Sequence, residues 1–230
     1  MIDIYYSFED VPEEKYRLFI LVDILRASSV VCLLHSKGAE RIYFEDDLNN
    51  AFKLKEEVNA VILGEIGGER PAGFDLGNSP YEIMNADIRT KDFVHFTTNG
   101  TPLFKRFAGR KAVIGSFLNA AAVSGAVTGD TAFILAGTKG GPAYEDLYYA
   151  GYIASRFRRS VHGRLCTKAF SLYMKFRYMP GGLFSRTSNG RNLVALKKCN
   201  DISMSLRTDS VSMLPVIGKD RHGVFSSVVS

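Results

Sequence analysis

Six short apolar runs, each followed by a turn and most of them by a helical pattern, restrict this chain more than any other feature. Leu18–Leu25, Arg41–Phe44, Ala60–Leu63, Phe93–Phe96, Ala112–Ile114 and Thr131–Leu135 are continuous rather than alternating. Strands buried on both faces of a parallel sheet read this way. The helical patterns are Ser28–Ser36, closed by Gly38; Leu48–Val58, opened by Asp46 and Asp47; Pro102–Phe107; an alanine-rich stretch to Val127; and Ala143–Arg158. Ser79 as N-cap and Pro80 at the first helical position start another helix at Tyr81–Met84. Alternation of this kind predicts an α/β fold: three layers, α/β/α, around a mainly parallel sheet with room for mixed pairing.

Met1–Tyr6 alternates enough for an edge strand. The last third is less regular. Cys166–Phe176 and Gly190–Lys198 are helical in pattern, Met179–Gly182 is a break, Ile202–Leu206 fits helix or strand, and Met213–Ile217 is a short final strand. No linker demands a boundary, so residues 1–230 are expected to form a single domain.

Bulk properties exclude several classes. At 230 residues and 46% hydrophobic, the chain can bury a substantial core. No apolar stretch reaches the roughly 18 residues of a membrane helix, and the N-terminus does not read as a signal peptide. Cys32, Cys166 and Cys199 are far apart, which supports neither a disulfide framework nor a zinc site and fits a reduced, cytoplasmic setting. They read as buried thiols. The net charge of +5 is concentrated after residue 150, in Arg156, Arg158, Arg159, Arg164, Lys168, Lys175, Arg177, Arg186 and Arg191. A nucleic-acid face has such a balance, and so does a solvated or anion-attracting surface. No nucleic-acid motif accompanies it, so neither nucleic acid nor membrane is an expected partner.

Chemistry is expected at the turns. Four junctions repeat one design of apolar strand, short polar turn and helix: Arg26–Ser29, Thr97–Thr101, Gly115–Asn119 and Gly137–Gly141. Parallel strands end on one edge of an open α/β sheet, where ligands bind. Helix N-termini there offer unpaired N–H groups to anions, and Arg26 and Lys139 add full charge. Each turn taken alone is also ordinary capping chemistry. Neither the P-loop spacing nor GxGxxG occurs at these turns, which argues against a nucleotide. Acids lie near the same edge: Asp23, Glu65, Asp75 and the pair Glu145–Asp146. Carboxylates beside an anion site repel their ligand unless a cation bridges them, and Mg²⁺ binds carboxylate and phosphate oxygens together. His35, His95, His162 and His222 sit in no motif and read as packing or surface residues.

The stretches Asp23–Ser29, Gly64–Glu65 with Gly73–Pro80, Thr97–Thr101, Gly115–Ala120, Ala136–Thr138 and Glu145–Asp146 resemble, in order and spacing, the 2-phosphosulfolactate phosphatases. A weaker echo continues in Ser188–Leu193, Asp201–Ile202 and Asp209 to Val216. The resemblance implies a Mg²⁺-dependent hydrolase that converts (2R)-2-phospho-3-sulfolactate to 3-sulfolactate and phosphate, a step of coenzyme M biosynthesis. Family habit adds a homo-oligomer. On this reading Asp23, Arg26, Glu65, Asp75 and Asn99 are catalytic candidates. Asp23, Glu65, Asp75, Glu145 and Asp146 are candidates for the metal. Ser28, Asn78, Ser79, Thr98, Gly100, Thr101, Ser116, Asn119, Gly137 and Thr138 are candidates for holding the substrate's anionic groups. The chain departs from the family at Ile66, where Arg is usual, and Arg70 is the candidate to replace that charge. Ser28–Ser29 stand where threonines are usual, and Tyr148–Tyr149 replace smaller residues. A binding protein that holds a phosphate or sulfonate without chemistry is the alternative that Ile66 favours.

Overall fold

The computed structural model describes residues 1–9, 11–88, 91–138, 141–157 and 163–228. In chain order the elements are β1 (Ile2–Tyr5), β2 (Leu18–Val22), α1 (Ala27–Ser36), β3 (Arg41–Phe44), α2 (Leu48–Val58), β4 (Val61–Gly64), β5 (Leu76–Gly77), α3 (Pro80–Asn85), β6 (Asp92–Phe96) and α4 (Gly100–Arg106). Then come β7 (Ala112–Gly115), α5 (Ala120–Ala126), β8 (Thr131–Leu135), α6 (Tyr144–Ala154), α7 (Arg164–Phe176), α8 (Pro180–Phe184), α9 (Ser188–Ala195), α10 (Cys199–Ser205), β9 (Pro215–Asp220) and β10 (Gly223–Val228). The six apolar runs are strands, and the predicted helices fall within a few residues of these bounds. Local chemistry sets the ends. The Asp47 side chain accepts from the Asn50 N–H and the Ser79 side chain from that of Glu82, while Gly38 closes α1 at a φ of +98°.

The sheet has ten strands in the order β1-β8-β2-β7-β9-β10-β3-β6-β4-β5. The fold is α/β with a mostly parallel sheet flanked by helices. Its three antiparallel ladders all involve the C-terminal hairpin β9–β10, which is inserted between β7 and β3. Only the first arm of this hairpin is marked in the sequence as a strand. The turn between the arms is held by Asp220 Oδ1, which accepts from the N–H groups of His222 and Gly223.

This insertion corrects the expectation of one common strand edge. Three antiparallel steps separate β7 from β3, so β8, β2 and β7 run opposite to β3, β6 and β4. In a flat sheet their C-terminal ends would lie on opposite edges. They meet because the sheet curls around α1. Residues 27–35 of α1 are all buried, as befits a helix apolar on most sides. One core cluster joins α1 to Ile134 of β8, Leu21 of β2, Ile114 of β7, Ile217 of β9, Phe44 of β3, Phe93 of β6 and Leu63 of β4. Two further clusters cover the outer face of each half. One packs α6 and α7 against β2, β7 and β8; the other packs α2 against β4 and β6.

Cys32 and Cys166 are buried as expected, but Cys199 is exposed at the start of α10. Among the described residues no helix is long and apolar enough to cross a membrane. Lys139, Arg158, Arg159 and His162 lie outside the described residues.

Candidate active site

The C-terminal ends of β2, β4, β6 and β8 open into a cavity of about 830 Å³, roofed by α9. Asp23, Arg26, Glu65, Asn78, Thr98, Asn99 and Thr138 line it from the sheet side, and Ser188, Asn189, Arg191 and Asn192 from the roof. Asp23 leaves β2 only 7% exposed. Its backbone is fixed by Ser28, whose hydroxyl accepts from the Asp23 N–H at 2.9 Å. Its Oδ1 accepts from the Ala27 N–H at 3.3 Å. Its Oδ2 lies in a notch beside Gly100, where a Cβ would stand 2.8 Å from that oxygen and 2.6 Å from the Ala27 Cβ. Gly100 therefore leaves room for the carboxylate at the mouth of α4. Burial, then the neighbouring Glu65 and Glu145, push the Asp23 carboxyl up to about 7, against the Ala27 N–H and Arg26, which favour its ionised form.

Asp146 and Glu145 occupy the first turn of α6, nearly fully buried. Asp146 Oδ1 accepts from the Ile24 N–H at 2.8 Å, tying α6 to the end of β2. Burial first, then Glu145 and Asp23, hold the Asp146 carboxyl well above the ordinary range. Glu145 is raised as well, chiefly by burial. Its Oε1 accepts from Asn189 Nδ2 at 2.7 Å, but its buried Oε2 has no hydrogen-bond partner. The Thr187 hydroxyl beside it donates to the Phe184 carbonyl instead.

This all-oxygen donor set, with an orphaned buried carboxylate oxygen, fits a hard divalent cation. Among the described residues no three His, Cys, Asp or Glu side chains close together as a complete ligand set. The fit is therefore to magnesium's usual mode, in which one or two carboxylates share the ion with water and a phosphate.

Glu65 works as a fastener. Its Oε1 accepts from the N–H and hydroxyl of Thr98, at 3.1 and 2.9 Å, and its Oε2 from the Gly68 N–H at 2.6 Å. These bonds join the loops after β4 and β6. Arg26, 4% exposed, donates from Nη1 to Asp201 at 2.7 Å and from Nη2 to the Gly68 carbonyl at 2.8 Å. Asp201 Oδ1 also accepts from the Ser79 hydroxyl at 2.5 Å, so Ser79 serves α10 and its own helix rather than the cavity. Asn78 accepts at Oδ1 from His95 Nε2 at 3.0 Å, which leaves its amide N–H groups for the cavity. Thr138 accepts from Asn189 at 2.8 Å. Gly137 lines a smaller neighbouring cavity of about 310 Å³ together with Thr98 and Asn99.

Several expected site residues lie elsewhere. Asp75 precedes β5, whose parallel register sets Leu76 beside Leu63, so Asp75 falls back alongside Ile62. Its carboxylate accepts from the Ile62 N–H at 2.9 Å and pairs with Lys55 at 3.0 Å, away from the cavity. Arg70 donates to the Asp75 carbonyl and faces Glu82, so it does not replace the charge missing at Ile66. Ser116 and Asn119 form a reciprocal cap on a single 3₁₀ turn. Ser116 meets Ser29, and Asn119 holds the carbonyls of Ile114 and Met213. Thr101 is spent on Thr97 and on the His95 carbonyl. For Ser116, Asn119 and Thr101 the ordinary capping role is the one the fold uses.

Roof residues were missed as site candidates. Asn189, Arg191, Asn192 and Asp201 stood in the weaker part of the resemblance with no role assigned. Asn192 donates to the Gly67 carbonyl at 3.0 Å and Lys198 to that of Gly68 at 2.7 Å, which pins α9 and the turn after it to the loop following β4. Gly190 seats the roof, since a Cβ there would stand 1.7 Å from the Phe184 carbonyl oxygen. The one available signal was the polar run Ser188–Asn192, too hydrophilic for a packing helix.

The family model for 2-phosphosulpholactate phosphatase matches residues 5–220. The chain is 30% identical over 224 residues to a probable 2-phosphosulfolactate phosphatase of Pseudothermotoga lettingae, covering 96% of this chain and 97% of the relative. It is 30% identical over 211 residues to that of Thermotoga maritima, with 91% of each covered. It is 29% identical over 220 residues to that of Carboxydothermus hydrogenoformans, with 93% and 92% covered. The match spans the strand-end loops, the acids of α6 and the α9 roof, and so the chain belongs to the 2-phosphosulpholactate phosphatase family.

Proposed function

We propose that the cavity binds (2R)-2-phospho-3-sulfolactate and hydrolyses its phosphate monoester to 3-sulfolactate and phosphate, with Mg²⁺ as cofactor and the whole chain as one catalytic unit. The observation that carries the reading is Asp23, buried in the wall of a cavity whose other walls offer N–H and hydroxyl donors, with Asp146 tied to the next residue, Ile24, and Glu145, whose buried Oε2 has no partner, near enough to raise its pKa. Buried carboxylates whose protonation is pushed upward are poor neighbours for a substrate with three anionic groups unless positive charge joins them. Asp23 and, through its unpartnered Oε2, Glu145 are the residues that would hold Mg²⁺, sharing it with water and the phosphate. When bound, the ion supplies Lewis-acid polarisation of the phosphoryl oxygens.

The chain's own groups do the rest. Asn78, oriented by His95, presents its amide to an anionic oxygen, and Asn99 flanks it at the mouth of α4. Such donors are fixed before the substrate arrives and lose little on binding it. Glu65 holds the loops on which they sit. The place of this substrate in coenzyme M biosynthesis follows the family reading, and a reduced cytoplasm follows the three scattered cysteines.

The test is phosphate release from synthetic 2-phosphosulfolactate by the purified chain, with Mg²⁺ and with excess chelator. Turnover with the ion and its loss with chelator are expected. Saturable binding of the substrate without turnover under any divalent ion would replace the hydrolase by a binding protein.

A further inference from the structure

We infer that Arg191 holds the substrate's sulfonate and so sets the preference for a sulfonated over an unsulfonated phospholactate. The inference rests on the reading that the cavity takes 2-phosphosulfolactate. That molecule carries its phosphate and carboxylate on carbon 2 and its sulfonate on carbon 3. The phosphate has to come to Asp23 to be cleaved, and the sulfonate then extends toward another part of the wall, where it needs fixed positive charge.

Among the described residues that line the cavity, the cations are Arg26 and Arg191. Arg26 is buried, and its charge is already matched by Asp201 at 2.7 Å. Arg191 is exposed to the cavity and spends one N–H on the Arg186 carbonyl at 2.8 Å. No carboxylate of the described residues pairs with it, so most of its planar fork of donors is available to an oxyanion. Its place on α9 also fits. Asn189, which holds Glu145, is two residues earlier, about 200° around the helix. Arg191 therefore leaves α9 in a different direction from the residue that holds Glu145. Arg70 and Lys198 do not compete for the role. Arg70 is turned to Glu82, and Lys198 is bonded to the Gly68 carbonyl outside the lining.

The experiment compares wild type, Arg191→Gln and Arg191→Lys on 2-phospho-3-sulfolactate and on 2-phospholactate, which lacks only the sulfonate. The quantity read is the ratio of kcat/KM for the two substrates. Wild type is expected to favour the sulfonated ester. Loss of one charge-assisted contact should reduce that ratio roughly ten- to a hundredfold in Arg191→Gln, with part of it restored in Arg191→Lys. Melting curves confirm that the variants fold. An unchanged ratio, or an equal loss on both substrates, overturns the assignment, because the residue would then serve nothing or a group that both substrates share. If wild type turns over neither substrate, the hydrolase reading fails by itself, and the Kd of 3-sulfolactate by calorimetry decides the sulfonate contact. Weakening of tenfold or more in Arg191→Gln supports it. An equal Kd, or no saturable binding to wild type, overturns it.

Discussion

His95 lies on β6, buried between the sheet and the site, and its protonation is expected to be one of the larger pH-dependent costs to the fold. Its Nε2–H donates to Asn78, whereas Nδ1 is buried with no partner. A second proton would have to sit on Nδ1 with no acceptor, in a dry site that also feels Arg26. Burial chiefly, with Arg26 adding, lowers the imidazole from 6.5 to about 3. The unfolded chain therefore takes up this proton first as pH falls through 6.5, and stability drains away until pH reaches about 3. Between pH 8 and pH 5 the loss amounts to about 2 kcal/mol, at 1.36 kcal/mol per unit of difference. Other groups titrate in the same range. His35, lowered by burial, adds to the loss, while Asp23, Glu145 and Asp146, raised in the fold, gain stability on acidification. A difference between two proteins isolates His95. Urea unfolding of wild type and His95→Gln, followed by circular dichroism at pH 8, 7, 6 and 5, is the assay. Wild type should lose about 2 kcal/mol more than the variant over that interval, whatever constant offset separates them. Parallel profiles within about 0.5 kcal/mol, the usual error of such comparisons, would refute the claim that Nδ1 lacks an acceptor.

Two further predictions follow from the placement of particular residues. Asp75→Asn should leave kcat/KM within a few-fold of wild type and cost less than about 1 kcal/mol of stability through the half-exposed Lys55 pair, whereas Asp23→Asn should cut turnover at least about a hundredfold, the scale of a lost general catalyst or charge partner; both are read by phosphate release and urea melts. Gly151→Ala places a Cβ 2.1 Å from the Ala169 carbonyl oxygen where α6 crosses α7 and should destabilise by about 1–3 kcal/mol or more. Gly125→Ala, in open space on α5, should stabilise by up to about 1 kcal/mol, and equal melting temperatures for the two variants would contradict the packing.

The amino-acid sequence on its own determined most of the secondary structure, because each element is specified by signals within a few residues. Continuous apolar runs mark β2, β4 and β8, and Asp47, Ser79 and Pro80 mark the starts of α2 and α3. The acids Asp23, Glu145 and Asp146 were legible as well, since carboxylates at strand ends or in a first helical turn are conspicuous in apolar surroundings. Three matters were decided only by the tertiary structure. The register of β5 against β4 turned Asp75 from the cavity to Lys55, a two-strand pairing that no local pattern encodes. The polar residues of α9 became the roof, and those at α10 its anchor, because Arg26, Glu145 and Gly68 meet them from far away in the chain. The hairpin β9–β10 reversed half of the sheet, and only the curl of that sheet around the buried α1 returned the strand ends to one cavity. Hydrophobic pattern fixes which face of a strand is buried. Which strands become neighbours, and which way they run, depends on long-range packing that appears only when the whole chain is assembled.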